Sequence, residues 1–152
     1  MKVLLATDGT RHGDAAAEMV KALALRDGDE VKIISVVDMA LPLAIDMYGG
    51  YLPDTTELEK TARENAAKVL EKTTAMVEQQ FGEAQVAVTS EVLFGSPDSR
   101  IVESAEQMGA DLIIVGSHGY NRWERLLLGS VSDSVVHHAP CSVLVVRVPG
   151  DD

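Results

Sequence analysis

Asp111-Leu112-Ile113-Ile114-Val115-Gly116-Ser117-His118-Gly119 decides how this chain folds. Its first half is a near-continuous apolar run, the pattern of a strand covered on both faces. Its second half is punctuated by glycine, and after nine further residues come Gly129-Ser130 and then Val131-Ser132-Asp133-Ser134-Val135-Val136, which reads as a helix. Strand, glycine loop and helix N-terminus make a phosphate cradle. Glycine lets a backbone come close to a ligand and adopt positive φ. The first amides of a helix lack internal partners, and the helix dipole adds positive potential there.

Four more apolar runs have strand character: Val3–Ala6, Val31–Val37, Val86–Val92 and Val143–Val148. The third is the most mixed and suits a place near a sheet edge. Helical patterns alternate with them. Gly13–Leu25 carries Ala16, Met19, Val20 and Leu23 at helical spacing. Thr55–Phe81 is the longest, with Leu58, Ala62, Ala66, Val69, Thr73, Met76 and Val77 on one face. Ser96 and Pro97 are the expected N-cap and first residue of a third helix, which Gly109 ends. Ser130 is the expected N-cap of a fourth, closed by Pro140.

Alternating strands and helices predict an α/β fold, a doubly wound (Rossmann-like) five-stranded parallel sheet of order 3-2-1-4-5 with four helices. Ligands of such folds bind where the strand order reverses, at the carboxyl ends of the strands. That brings Thr7-Asp8-Gly9, after the first strand, beside Gly116. Residues 38–54 form an irregular stretch, and a loop of this length suits function or movement.

The length of 152 residues suits one domain over residues 1–152 with a single core. There is no apolar run long enough for a membrane span. The N-terminus turns acidic too early for a secretory signal, so a cytoplasmic location is expected. Cys141 is the only cysteine, which forbids an internal disulfide. The formal net charge of −11 repels nucleic acid and anionic lipid. His137 and His138 are adjacent on a helix, point about 100° apart and do not chelate together.

The glycine loop is neither a P-loop, since no Lys follows Gly129, nor a G-x-G-x-x-G turn after the first strand. No G-x-S-x-G elbow is present. Instead, Gly116-x-x-Gly119-x₉-Gly129-Ser130 resembles the nucleotide-binding signature of the universal stress protein family, in its ATP-binding branch. The resemblance extends through Thr7-Asp8-Gly9, Ser35-Val36-Val37-Asp38, Gly95-Ser96-Pro97 and Pro140–Val146. Ser35 stands where the family often has His.

The resemblance implies a homodimer built partly through the last strand, and a site for ATP, with Mg²⁺ held through its phosphates. Ala6, Thr7 and Asp8 would line the nucleotide, with Asp8 meeting the ribose or the phosphate-bound Mg²⁺; the alternative for Asp8 is a turn-capping carboxylate. Val36 would lie against adenine, or is plain core. Gly116 and Gly119 would let ribose and phosphate approach. Gly129, Ser130, Val131 and Ser132 would offer amides and hydroxyls. Arg122 would screen phosphate charge, or is a solvated surface residue. Ser117 and His118 lie within the loop, and no acid–base role is assigned to His118. The expected function is nucleotide-dependent regulation of a stress response through an unidentified protein partner, with slow or no ATP hydrolysis. The alternatives are an ATPase or nucleotidyl-transfer enzyme of the adenine-binding α/β group, and a structural dimer with an empty loop.

Overall fold

The computed structural model describes residues 1–38, 55–118 and 128–148. Gly119, Arg122, Trp123 and the stretch 39–54 lie outside the described residues. The elements in chain order are β1 (Lys2–Ala6), α1 (Arg11–Met19), a 3₁₀ turn (Val20–Leu23), β2 (Glu30–Val37), α2 (Thr55–Glu78), β3 (Ala87–Phe94), α3 (Pro97–Met108), β4 (Leu112–Gly116), α4 (Ser130–His138) and β5 (Ser142–Val146). They form one parallel five-stranded sheet of order β3-β2-β1-β4-β5, as expected.

The apolar runs explain the two layers. Side chains alternate across a strand, so a continuous run feeds both faces. Val3, Leu5, Val31, Ile33 and Ile114 pack with Ala16, Ala17 and Val20 of the α1 segment and with Leu70 and Val77 of α2. Leu4, Ile34, Ile113 and Val115 pack on the other face, with Ile101 and Ala105 of α3 and Val135 of α4. On α2, Ala66, Thr73 and Val77 are buried as the helical spacing predicts, whereas Leu58 is exposed. Arg63 turns its guanidinium over the Phe94 ring, 4.5 Å from the centroid.

The long helix α2 ends at Glu78 rather than Phe81, and three other helix boundaries differ from the sequence expectation for a local reason. α1 starts at Arg11, because Thr10 occupies the N-cap and accepts from the Gly13 amide. It then tightens into the 3₁₀ turn and stops at Ala24, which takes a left-handed φ of 49°. α4 is capped by Gly129 rather than Ser130. The Gly129 carbonyl accepts the first intrahelical bond, from the Asp133 amide at 2.9 Å. By contrast, Ser96, Pro97 and Gly109 take the positions predicted for α3, with Gly109 left-handed at φ 63°. The Ser96 hydroxyl, however, donates to Asp98 Oδ1 rather than accepting from an amide.

The register places a cleft. β1 pairs with β2 as far as Ala6↔Ile34, and β4 with β5 as far as Gly116↔Val146. The ladder between β1 and β4 ends earlier, at Leu5↔Ile114. The two strands therefore part at their carboxyl ends, where the strand order reverses.

Candidate functional site at the ends of β1 and β4

The end of β1 is a tightly tied turn. The Thr7 amide donates to the Ile34 carbonyl at 3.0 Å, and Thr7 itself is buried. Thr7 Oγ1 accepts from the Gly9 amide at 3.3 Å. Asp8 Oδ1 accepts from both the amide and the hydroxyl of Thr10, at 3.0 and 2.7 Å. This is the turn-capping arrangement a short acidic side chain favours. One carboxylate oxygen of Asp8 thus serves the turn that launches α1. Gly13 sits directly over it: a Cβ there would lie 2.5 Å from Thr7 Oγ1 and 3.2 Å from Asp8 Oδ1.

The end of β4 carries the glycine loop. Gly116 does not take positive φ, and Gly129 has φ −60°. What they supply is close approach. A Cβ on Gly116 would lie 2.8 Å from His12 Cβ and 2.9 Å from its carbonyl carbon and oxygen, so α1 rests on bare backbone. A Cβ on Gly129 would lie 3.2 Å from the Ser117 carbonyl oxygen and 3.4 Å from His118 Cα. Gly116 therefore has a packing role inside the protein whatever it offers to a ligand.

Ser117 is the tie point. Its amide donates to the Val146 carbonyl at 2.8 Å, and its own carbonyl accepts from the Gly129 amide at 2.8 Å. The buried Ser132 hydroxyl reaches the carbonyls of Ser117, at 3.0 Å, and Gly129, at 2.9 Å. Its single proton is thereby committed inside the protein, so Ser132 can offer a ligand its amide but not a hydroxyl donor. Among the described residues no side chain caps the N-terminus of α4. The amides of Ser130, Val131 and Ser132, the first three of the helix, thus stand at its uncapped positive end.

Of the other expected residues, Ala6 and Val36 are partly buried against the α3–α4 core layer. Ser117 lies beside His118 and His12, joined to both through its hydroxyl. His12 is the residue that the sequence reading missed. Its signal was an imidazole in Thr10-Arg11-His12-Gly13, directly after the first strand, which a count of apolar positions passes over. Among the described residues no group of three or more His, Cys, Asp or Glu could hold a metal ion. His137 and His138 each turn Nδ1 to the carbonyl four residues earlier, at 2.8 Å. Burial pushes the Cys141 thiol up from its ordinary pKa, as suits an inert core thiol.

These features define a doubly wound α/β protein with an open helix N-terminus at its switch point. The profile of the Universal stress protein family matches residues 1–147, and the chain belongs to that family. Universal stress protein MJ0531 of Methanocaldococcus jannaschii is 34% identical over 148 residues, covering 97% of this chain and 82% of the relative. Among solved structures, hypothetical protein MJ0577 aligns with a TM-score of 0.81 at 29% identity, over 98% of this chain and 96% of that one. A universal stress protein family protein from Arabidopsis thaliana, solved with AMP bound, shares the fold at a TM-score of 0.67 and 16% identity, over 99% of this chain and 94% of that one. No helix among the described residues is long and apolar enough to cross a membrane.

Proposed function

We propose that this chain is an ATP-binding universal stress protein, a cytoplasmic nucleotide-dependent regulator whose residues 1–152 act as one unit. The observation that carries the reading is the uncapped N-terminus of α4 beside the parted ends of β1 and β4. The first three amides of α4 and its helix dipole suit a polyphosphate. The AMP-bound Arabidopsis relative supports an adenine nucleotide in this fold. Gly119 and Arg122 complete the proposed loop, Ala6, Thr7 and Asp8 its opposite wall, and Val36 the adenine contact.

Mg²⁺ fits as a passenger of the phosphates. It prefers octahedral oxygen coordination and keeps several waters, and Asp8 brings one carboxylate whose Oδ1 is already engaged with Thr10. Hydrolysis is slow on this reading, because the groups at the cradle bind phosphate and none is set to activate water. Turnover on the order of 1 per second or faster would favour the ATPase alternative. The dimer is proposed to pair through the outer edge of β5, where an unpaired apolar strand has reason to be covered.

The test uses Ser130, the first residue of α4. Proline is welcome at that position, where it removes only an amide proton the helix does not use. Gly129 already has the extended φ −60°, ψ 153° that proline requires of its predecessor. Ser130→Pro should keep the fold and weaken Mg·ATP binding about tenfold or more, the scale of a charge-assisted hydrogen bond. Titration calorimetry with Mg·ATP reads this directly. Unchanged affinity would remove α4 from the site, and no ATP binding by the parent protein would sink the reading.

A further inference from the structure

Under α3, at the outer strands of the sheet, one polar stripe meets another where an apolar layer would be expected. Side chains alternate across a strand. Lys32 therefore shares the α3 face of β2 with Ile34, and Glu91 and Leu93 share that face of the outer strand β3. On α3, Ile101 and Ala105 make the apolar contact with the sheet. Arg100, Ser104 and Gln107 follow one another at helical spacing and form a second stripe beside them. The two stripes, with Glu103 and Leu93, border a cavity of about 60 Å³.

The charges at this cavity are already matched. Lys32 Nζ lies 2.8 Å from Glu91 Oε2, and Arg100 Nη1 lies 2.8 Å from Glu103 Oε2. Arg100 Nε also donates to the Phe94 carbonyl, at 2.7 Å, which fixes the guanidinium at the end of β3. Ser104 is different. It lines the cavity, is 3% exposed, and its hydroxyl has no hydrogen-bond partner among the described residues. A buried hydroxyl without a partner is costly and uncommon. A stripe serving only as the wet flank of α3 would leave its serine in solvent; this one holds it buried against the cavity.

We infer that this cavity is a second binding site, for a small neutral polyol, with Ser104 and Gln107 as its recognition groups. The inference does not rest on the nucleotide reading above. Charge disfavours the other small ligands. A lone anion would compete with Glu91 and Glu103 for the two cations, and a lone cation would compete with Lys32 and Arg100 for the two carboxylates. Among the described residues no group of three or more His, Cys, Asp or Glu could hold a metal ion. Leu93 is the one apolar side chain on the described wall, so an apolar molecule gains little. A polyol suits what remains, because each hydroxyl both donates and accepts. It can donate to the carboxylates, which have acceptor sites beyond one ion pair, and accept from Lys32 and the Gln107 carboxamide. With Ser104 it can take either role, and both ion pairs stay intact. The cavity holds roughly four waters, which sets the size near a three-carbon polyol.

Glycerol is the probe, titrated into ¹⁵N-labelled parent protein and followed by NMR. The Ser104 amide, the Gln107 carboxamide and the Arg100 Nε–H should shift along saturable curves, half-saturating in the millimolar range as suits so few heavy atoms. Ser104→Ala should keep the fold, since it removes an unpartnered hydroxyl and places a better helix former in α3. It should weaken glycerol binding about fivefold, the scale of one hydrogen bond. Gln107 is exposed, so Gln107→Ala leaves the core alone and should weaken binding by a similar factor. Ethylene glycol dimethyl ether is of similar size but accepts without donating, and should not saturate these signals. Small linear shifts spread over the whole spectrum would mean a solvent effect only and would overturn the inference. Equal saturation by the ether would overturn it too, as would glycerol binding that both variants leave unchanged.

Discussion

Gly116 shows how little room separates α1 from the end of β4. The atoms that an added Cβ would meet within 3 Å are mostly His12 backbone, which no rotamer change can move aside. Gly116→Ala must push α1 off the sheet or bend the strand end. Overpacking of this kind costs about 1–3 kcal/mol, and for a chain of this size that lowers the unfolding midpoint by roughly 3–10 °C. Thermal denaturation followed by circular dichroism measures it; an unchanged midpoint would mean that α1 is not held against the strand. The same residue shows what a sequence can and cannot disclose at a site. The spacing of Gly116, Gly129 and Ser130 was legible because glycine punctuates an apolar run. The partner of Gly116 was not, because His12 is more than a hundred residues away in sequence and meets it only when β1 and β4 lie side by side. Ser132 was legible as a hydroxyl near the cradle, but not as one already donating to two carbonyls.

At the scale of elements, the strand ends were readable to within two residues, because near-continuous Val, Ile and Leu runs have few other places to go in a two-layered α/β fold. Helix ends were less so, because caps depend on which hydrogen bond wins locally. Asp98 illustrates this. It lies in the first turn of α3, accepts from the Ser96 hydroxyl at 2.5 Å, and accepts from the Ser134 hydroxyl of α4 at 2.7 Å. These two bonds, Ser96 first, hold its carboxyl below the ordinary aspartate pKa of 3.8. A folded-state pKa below the unfolded one contributes stability that is present above the unfolded value and is lost as pH falls through the folded value. Ser134→Ala removes the bond between helices. The variant should be less stable than the parent near neutral pH, and the gap should narrow as pH falls below 3.8. Urea midpoints near neutrality and at about pH 3 make the comparison. A gap that stays constant with pH would show that Asp98 does not carry the Ser134 effect.

For the whole molecule the open question is its outer edge. Among the described residues β5 pairs only with β4, and Val143, Leu144 and Val145 are partly exposed along it. The register says which backbone groups are spare. The Ser117 amide donates to the Val146 carbonyl, so Val146 faces β4 with both of its backbone groups. Orientation alternates along a strand, so Leu144 also faces β4 while Val143 and Val145 point their amides outward. Proline is tolerated on an edge strand when the lost amide faces away from the sheet, and it asks the preceding Leu144 only to remain extended. Val145→Pro should therefore leave the sheet intact and delete one outward donor at the centre of the proposed dimer contact. Sedimentation velocity should show the parent as a dimer and the variant dissociating at about tenfold higher concentration or more, the scale of one lost interfacial hydrogen bond with its packing. Leu144→Pro is the informative counterpart: it removes an amide that β4 uses, and should cost fold stability as well as assembly. A Val145→Pro protein that remains as tightly dimeric as the parent would place the contact on another surface. A parent that is monomeric at tens of micromolar would leave the apolar edge uncovered, and with it the physical motive for pairing.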